Sequence, residues 1–230
     1  MINMELYHGS AKIIESPQYE LSSKNNDYGR GFYCSENIEL AKEWACGKGQ
    51  DGYANKYMLD INGLKILDLN SPKYNILNWL AILTKNRTYW QRSSISEQAK
   101  TYLQENFLID TVEFDVIRGY RADDSYFSFA QDFVANTISL RQLSKAMHLG
   151  KLGEQIVIMT PKAFDMLTFK GYEEASANVY FTKKEIRDKE ARKEYRESKV
   201  EIASTDDLFM LDIMREGIKD GDSRLQQGLS

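Results

Sequence analysis

Met4-Glu5-Leu6-Tyr7-His8-Gly9-Ser10 and, farther on, Tyr28-Gly29-Arg30-Gly31-Phe32-Tyr33-Cys34-Ser35 carry the topology of this chain. The first stretch alternates as a strand does through His8 and stops at Gly9-Ser10, a loop signal. The second follows a polar, Asn-rich loop from Ser22 to Asp27, and its aromatic centre predicts another strand. Ser35 or Asn37 then caps a helix through Cys46. Ile38, Ala41 and Ala45 share one face of that helix, and Leu40 and Trp44 the adjacent one.

Downstream, the strand-like runs Lys56–Asp60 and Leu64–Leu69 are joined by the turn pair Asn62-Gly63. A mostly helical block extends from Tyr74 to the region of Phe107, and Phe114–Ile117 reads as a strand ending in Gly119. After Ala122-Asp123-Asp124-Ser125, the spacing of Tyr126, Phe129, Ala130 and Phe133 predicts a helix with one aromatic face. Ser139–His148 is a further amphipathic helix with Gly150 as its C-cap, and Gln155–Met159 is a buried strand. Beyond Gly171 the composition shifts. Lys183–Arg196 mixes Lys, Arg, Glu and Asp densely, the pattern of a solvated helix, and Asp206–Gly217 closes the chain with a last amphipathic helix. Strands mixed with helices, without regular alternation, predict an α+β fold. One domain is expected over residues 1–170, followed by a charged helical extension over 171–230.

The 230 residues, 42% hydrophobic and 28% charged, suit one well-buried core with an appended segment. A net charge of -4 and a pI near 5.4 argue against a protein that coats nucleic acid by bulk electrostatics. Met1-Ile2-Asn3-Met4-Glu5 shows no basic n-region, and no apolar run approaches the ~18 residues of a membrane span. A cytoplasmic protein with no membrane partner is expected. Cys34, Cys46, His8 and His148 are too few for a disulfide framework or a structural zinc site, so no metal is expected.

Each candidate site residue also has a bland reading. His8 closes a strand and can simply bond to backbone, and Gly9 can serve a tight turn. Gly29 and Gly31 permit close approach to a ligand or form a bulge. They are not a Rossmann fingerprint, because no third glycine follows and they precede a strand. Asp124 or Ser125 can cap a helix, a contribution of about 1 kcal/mol.

Taken together, Tyr7-His8-Gly9-Ser10 and Tyr28-Gly29-Arg30-Gly31-Phe32-Tyr33 resemble the ADP-ribosyltransferase superfamily, in the branch shared with the poly(ADP-ribose) polymerases. There a strand ends in His-Gly-Ser, and a Gly-x-Gly-aromatic-Tyr strand leads into a helix bearing a second aromatic. Trp44 stands at the matching offset, eleven positions after Tyr33. The resemblance is firm over residues 4–46 and looser to Phe169, and it is closest to uncharacterised bacterial members, several of them toxins or toxin–antitoxin components. It implies a split β-sandwich of two packed sheets with flanking helices, and NAD⁺ as co-substrate. The Gly9 backbone and Ser10 would hold the nicotinamide carboxamide, and His8 the adenosine ribose. Tyr33 and Trp44 would sandwich the nicotinamide ring, with Gly31 beside them and Arg30 toward the diphosphate. A cationic pyridinium gains roughly 0.5–2 kcal/mol over an aromatic face.

The third catalytic position departs from the better-known relatives, which place a glutamate on a later strand. Gly153-Glu154-Gln155-Ile156 offers two candidates, and strand alternation prevents both from facing one pocket. Gln155 is preferred, Glu154 is the rival. Glutamine can bond the ribose 2′-hydroxyl without supplying a charge or a general base, which favours single transfer over chain growth. Asp123 and Asp124 are candidates for orienting or deprotonating the acceptor. The implied activity is mono-ADP-ribosylation of a protein or nucleic acid, with an inhibitory partner such as an antitoxin. A silent NAD⁺- or ADP-ribose-binding module and an NAD⁺ glycohydrolase are the alternatives.

Overall fold

The computed structural model describes residues 2–87, 93–122, 124–149, 153–200 and 204–226. Among the described residues, seven strands and eight α-helices, the short α6 (Pro161–Asp165) included, form two sheets and a helical layer, an α+β architecture. One sheet orders β1 (Asn3–Ser10), β3 (Gly52–Asp60) and β7 (Leu167–Ala175), all antiparallel. The other orders β2 (Phe32–Cys34), β6 (Glu154–Ile158), β5 (Val116–Tyr120) and β4 (Ile66–Asp68), with only the β4–β5 pair parallel.

Alternation along the strands explains the layering. Phe32, Cys34, Val116, Ile156 and Ile158 project from the second sheet onto Leu6, Tyr57 and Leu59 of the first, closing a core between the sheets. Residues of opposite parity, Leu67, Ile117 and Val157, face the larger helical core. That core is built by α2 (Ile76–Asn86), α3 (Ser94–Asn106), α4 (Asp124–Val134) and α5 (Leu140–Ala146). Tyr126, Phe129, Ala130 and Phe133 of α4 are all buried, as their spacing predicts. The sheets are stitched at one corner by Tyr7 and Ser35, whose amides and carbonyls bond reciprocally at 2.8 and 2.9 Å.

Asn37 is the cap of α1 (Ile38–Ala45), its side chain accepting from the amides of Glu39 and Leu40. Gly9 lets this helix lie directly on β1. A Cβ at Gly9 would meet the Ala41 carbonyl oxygen at 2.0 Å, which is backbone and cannot swing aside. Gly9→Ala is therefore expected to lower stability by about 1–3 kcal/mol through forced displacement of the helix. A urea midpoint equal to that of the parent would rule out this packing role.

The structure adds three points that the sequence pattern does not carry. The runs flanking Asn62-Gly63 do not pair, because both edges of β3 are taken by β1 and β7, while β4 crosses to pair with β5. β7 went unread: it is an edge strand carrying Lys170, Glu173 and Glu174, largely exposed, so it lacks an apolar run. It also spans position 170, so the C-terminal segment begins inside a sheet rather than after it. That segment is part of the body: Ala191 and Tyr195 of α7 (Ala177–Lys199) and Met210 and Ile213 of α8 (Met210–Arg215) enter the helical core. The Tyr195 ring stacks on Phe129 at 3.8 Å. α7 is thus an element of the fold as well as a charged surface. The expected C-cap Gly150 lies outside the described residues.

Candidate functional site

A cavity of about 850 Å³ opens between the corner of the two sheets and α7, within the range of small-molecule and cofactor sites. Three strands each send one residue to it: His8 at the end of β1, Tyr33 in β2 and Gln155 near the start of β6. Gly31 lines it as well, and a Cβ there would strike Val157 and the Ile158 carbonyl, so glycine brings the chain close over β6.

His8 is fixed by two contacts. Its Nδ1 lies 2.7 Å from the Tyr33 carbonyl oxygen, which can only accept, so Nδ1 carries the proton and Nε2 is an acceptor. Its ring stacks on Phe32 at 4.2 Å. Burial holds the His8 pKa below 6.5; the Tyr33 carbonyl opposes this, and the nearby Arg121 cation adds to the depression. As pH falls from 6.5 toward that lowered value, the unfolded chain takes up a proton that the folded one refuses. Stability contributed by neutral His8 is present above 6.5 and lost within this window. His8→Gln is expected to flatten that loss, read as urea midpoints above and below pH 6.5; an unchanged pH profile would contradict the assignment.

Tyr33 is held by its phenol, which donates to the Gly29 carbonyl at 2.7 Å and accepts from the Tyr28 amide at 3.1 Å. Burial raises its pKa, so the phenol stays protonated and clamps the preceding loop.

Gln155 is 3% exposed and settles the parity of β6. Its Nε2 donates to Asp27 Oδ2 at 2.9 Å and to the Tyr120 carbonyl at 3.2 Å. Both partners are acceptors, so the amide cannot flip, and Oε1 is the atom left to accept from a ligand. Glu154 points to the opposite face, where it pairs with Arg118, itself also bound to Glu36. Of the two candidates on this strand, only Gln155 faces the cavity.

Asp27 is the residue that sequence reading missed. Its carboxylate accepts from Arg87 Nε at 2.9 Å, the Ala122 amide at 2.9 Å and Gln155 Nε2. Arg87 in turn donates to the Ala122 carbonyl at 2.7 Å. One loop aspartate thereby ties together α2, the segment after β5, and β6. Nothing local marks it, since it stands in an Asn-rich loop far in sequence from each partner. Asn55 is a second such residue: fully buried, it donates to the His8 and Lys12 carbonyls and accepts from Ile14, fastening the loop at the cavity mouth.

The other candidates fall outside the cavity lining. Ser10 Oγ accepts from the Lys12 amide. Gly9 packs on α1, although its amide and carbonyl, two residues on from Tyr7, point off the same strand edge. Arg30 lies over the Tyr19 ring at 5.4 Å. The Arg121 guanidinium lies over the Trp44 ring at 3.5 Å, so a cation already stands on one face of the aromatic expected to sandwich a pyridinium. Asp124 opens α4, and Asp123 lies outside the described residues. Among the described residues no cluster of His, Cys, Asp or Glu is arranged to hold a metal ion, and no helix is long and apolar enough to cross a membrane.

A two-sheet α+β body with a cavity at the meeting point of its sheets, lined in part by arginine and lysine, defines the class. By comparison with known families, residues 4–169 match the family described as protein of unknown function (DUF3990), and the chain belongs to it. No curated protein and no solved structure matches the chain.

Proposed function

We propose that the chain is an NAD⁺-dependent mono-ADP-ribosyltransferase built on a split β-sandwich of the ADP-ribosyltransferase kind. The observation that carries this reading is the convergence of His8, Tyr33 and Gln155, from three separate strands, on one cavity. In the resemblance these are the three positions that hold NAD⁺ at the reacting sugar. His8 Nε2 and Gln155 Oε1 are both acceptors with fixed orientation, suited to ribose hydroxyls. The nicotinamide–ribose bond breaks as the ring leaves as neutral nicotinamide, and an acceptor nucleophile then joins C1 of the ribose. Tyr33 presents an aromatic face to the ring, and entry of the ring onto Trp44 requires Arg121 to withdraw. Gln155 orients the ribose and supplies no base, so the acceptor's proton leaves by another group. Catalysis then rests on orientation and electrostatic stabilisation of the oxocarbenium-like state.

A second reading, a binding module that holds NAD⁺ without cleaving it, is favoured by one observation: Glu154, the only carboxylate of β6, is turned away and paired with Arg118. Incubation with NAD⁺ labelled in its adenylate half, in a cell lysate, separates the two. The transferase reading predicts macromolecule-bound label that protease or nuclease releases, and none with His8→Ala or Tyr33→Ala. Binding of NAD⁺ without transfer or nicotinamide release would establish the module instead, and free ADP-ribose alone would identify a hydrolase. The toxin role and its inhibitory partner are drawn from the sequence resemblance alone.

A further inference from the structure

The far wall of the cavity belongs to α7, beyond the segment that matches the family. Phe181, Lys184, Asp188 and Arg192 recur at helical spacing and face the cavity, with Arg187 on the border of the same face. The helix is fastened there by a ladder to α1, in which Lys183 pairs with Glu39 at 2.9 Å and Arg187 Nη2 with Glu43 at 2.5 Å. Farther along the same face Ala191 and Tyr195 are buried in the helical core, so the wall is anchored.

The charges on this wall are unevenly matched. Arg192 is paired with Asp188 at 2.9 Å, and across the cavity Arg87 is paired with Asp27. Lys184 forms no ion pair among the described residues, and neither does Glu185 beside it, so the wall carries Lys184, Arg187 and Arg192 against Glu185 and Asp188. Arg187 has one nitrogen on Glu43, while its Nε and Nη1 are shielded from water and bonded to no described residue. Guanidinium N–H groups withdrawn from water without acceptors are costly, and an oxygen-rich anion beside them removes that cost. Arg30, the residue expected to meet a diphosphate, also has a buried Nε without a partner, but it lies over the Tyr19 ring and does not line the cavity.

We propose that Arg187 and Lys184 of α7 form the anion subsite of the cavity and take the diphosphate bridge of a dinucleotide. The identity of the bridge as part of NAD⁺ rests on the function proposed above; the anion site does not. On this assignment the C-terminal helix is a component of the binding site, and a chain ending with the family-matched segment lacks the subsite.

The test is calorimetric titration of inorganic pyrophosphate into the purified full chain. The parent is expected to bind, Lys184→Gln and Arg187→Gln each to weaken binding at least tenfold, and Lys189→Gln, on the exposed side of α7, to stay within twofold. Should Arg187→Gln fail to fold because Glu43 loses its partner, Lys184→Gln carries the test. No binding by the parent, or equal affinity in the parent and the cavity variants, overturns the proposal. Pyrophosphate binding by this wall in a chain that neither binds nor cleaves NAD⁺ upholds the anion site and overturns the NAD⁺ reading. NAD⁺ cleavage without a pyrophosphate site overturns this inference alone.

Discussion

Asp27→Ala is expected to remove about 3 kcal/mol of stability, the lower end of the range for deleting one partner of a buried ion pair. The lower end applies because Arg87 keeps 28% of its side chain in solvent, whereas Asp27 is nearly enclosed. The loss has three parts: Arg87 is left with one partner fewer, the Ala122 amide loses its acceptor, and the Gln155 amide is released to rotate. Asp27→Asn separates stability from function. With its oxygen turned to the Arg87 cation it keeps that donor alone, and its NH₂ group then faces the Ala122 amide and the NH₂ of Gln155, driving the Gln155 amide to flip. Stability then falls less than in Asp27→Ala, while NAD⁺ turnover falls as far as in a Gln155 variant. A urea midpoint within about 0.5 kcal/mol of the parent, the ordinary range for surface substitutions, would show that the carboxylate is not the tie described.

On the transferase reading proposed above, Gln155→Ala is expected to lower nicotinamide release by about 10²–10³-fold, the usual effect of deleting one preorganised polar contact to the transition state. Its stability cost is smaller, since Asp27 retains Arg87 and Ala122. Gln155→Glu gives the sharper result. The new carboxyl would stand against Asp27 Oδ2, where the glutamine Nε2 now donates at 2.9 Å. Two adjacent carboxylates cannot both ionise readily, so the introduced group has a raised pKa and holds a proton to share with Asp27. Protonated, it mimics glutamine; ionised, it repels Asp27. Activity of Gln155→Glu relative to the parent is therefore expected to decline as pH rises. A variant that outperforms the parent at neutral pH would contradict the role given to the Asp27–Gln155 pair.

The legible parts of the molecule were those encoded locally. Alternation placed β1, and the spacing of the α4 aromatics placed a buried helical face. Motif order singled out His8 and Tyr33, and the resemblance preferred Gln155 over its rival Glu154; His8, Tyr33 and Gln155 line one cavity. What escaped reading was encoded by distant contacts. Asp27 draws its partners from positions 60, 95 and 128 residues away. β7 is a charged edge strand whose identity depends on pairing with β3. α7 has the composition of a solvated helix, yet a few positions, Ala191 and Tyr195 above all, dock it, and its charges thereby become cavity wall. Trp44 stands where the motif spacing puts it, but one face of its ring is already engaged by Arg121, an arginine that no motif marks.

The most direct test of the NAD⁺ pocket is titration of NAD⁺ into the purified full chain, with nicotinamide release followed in the same sample. The account predicts saturable binding at one site, competed by ADP-ribose, nicotinamide release above the spontaneous rate, and loss of both in a His8→Ala, Gln155→Ala double variant that still folds. No binding by the parent, or binding and release unchanged in the double variant, would contradict it.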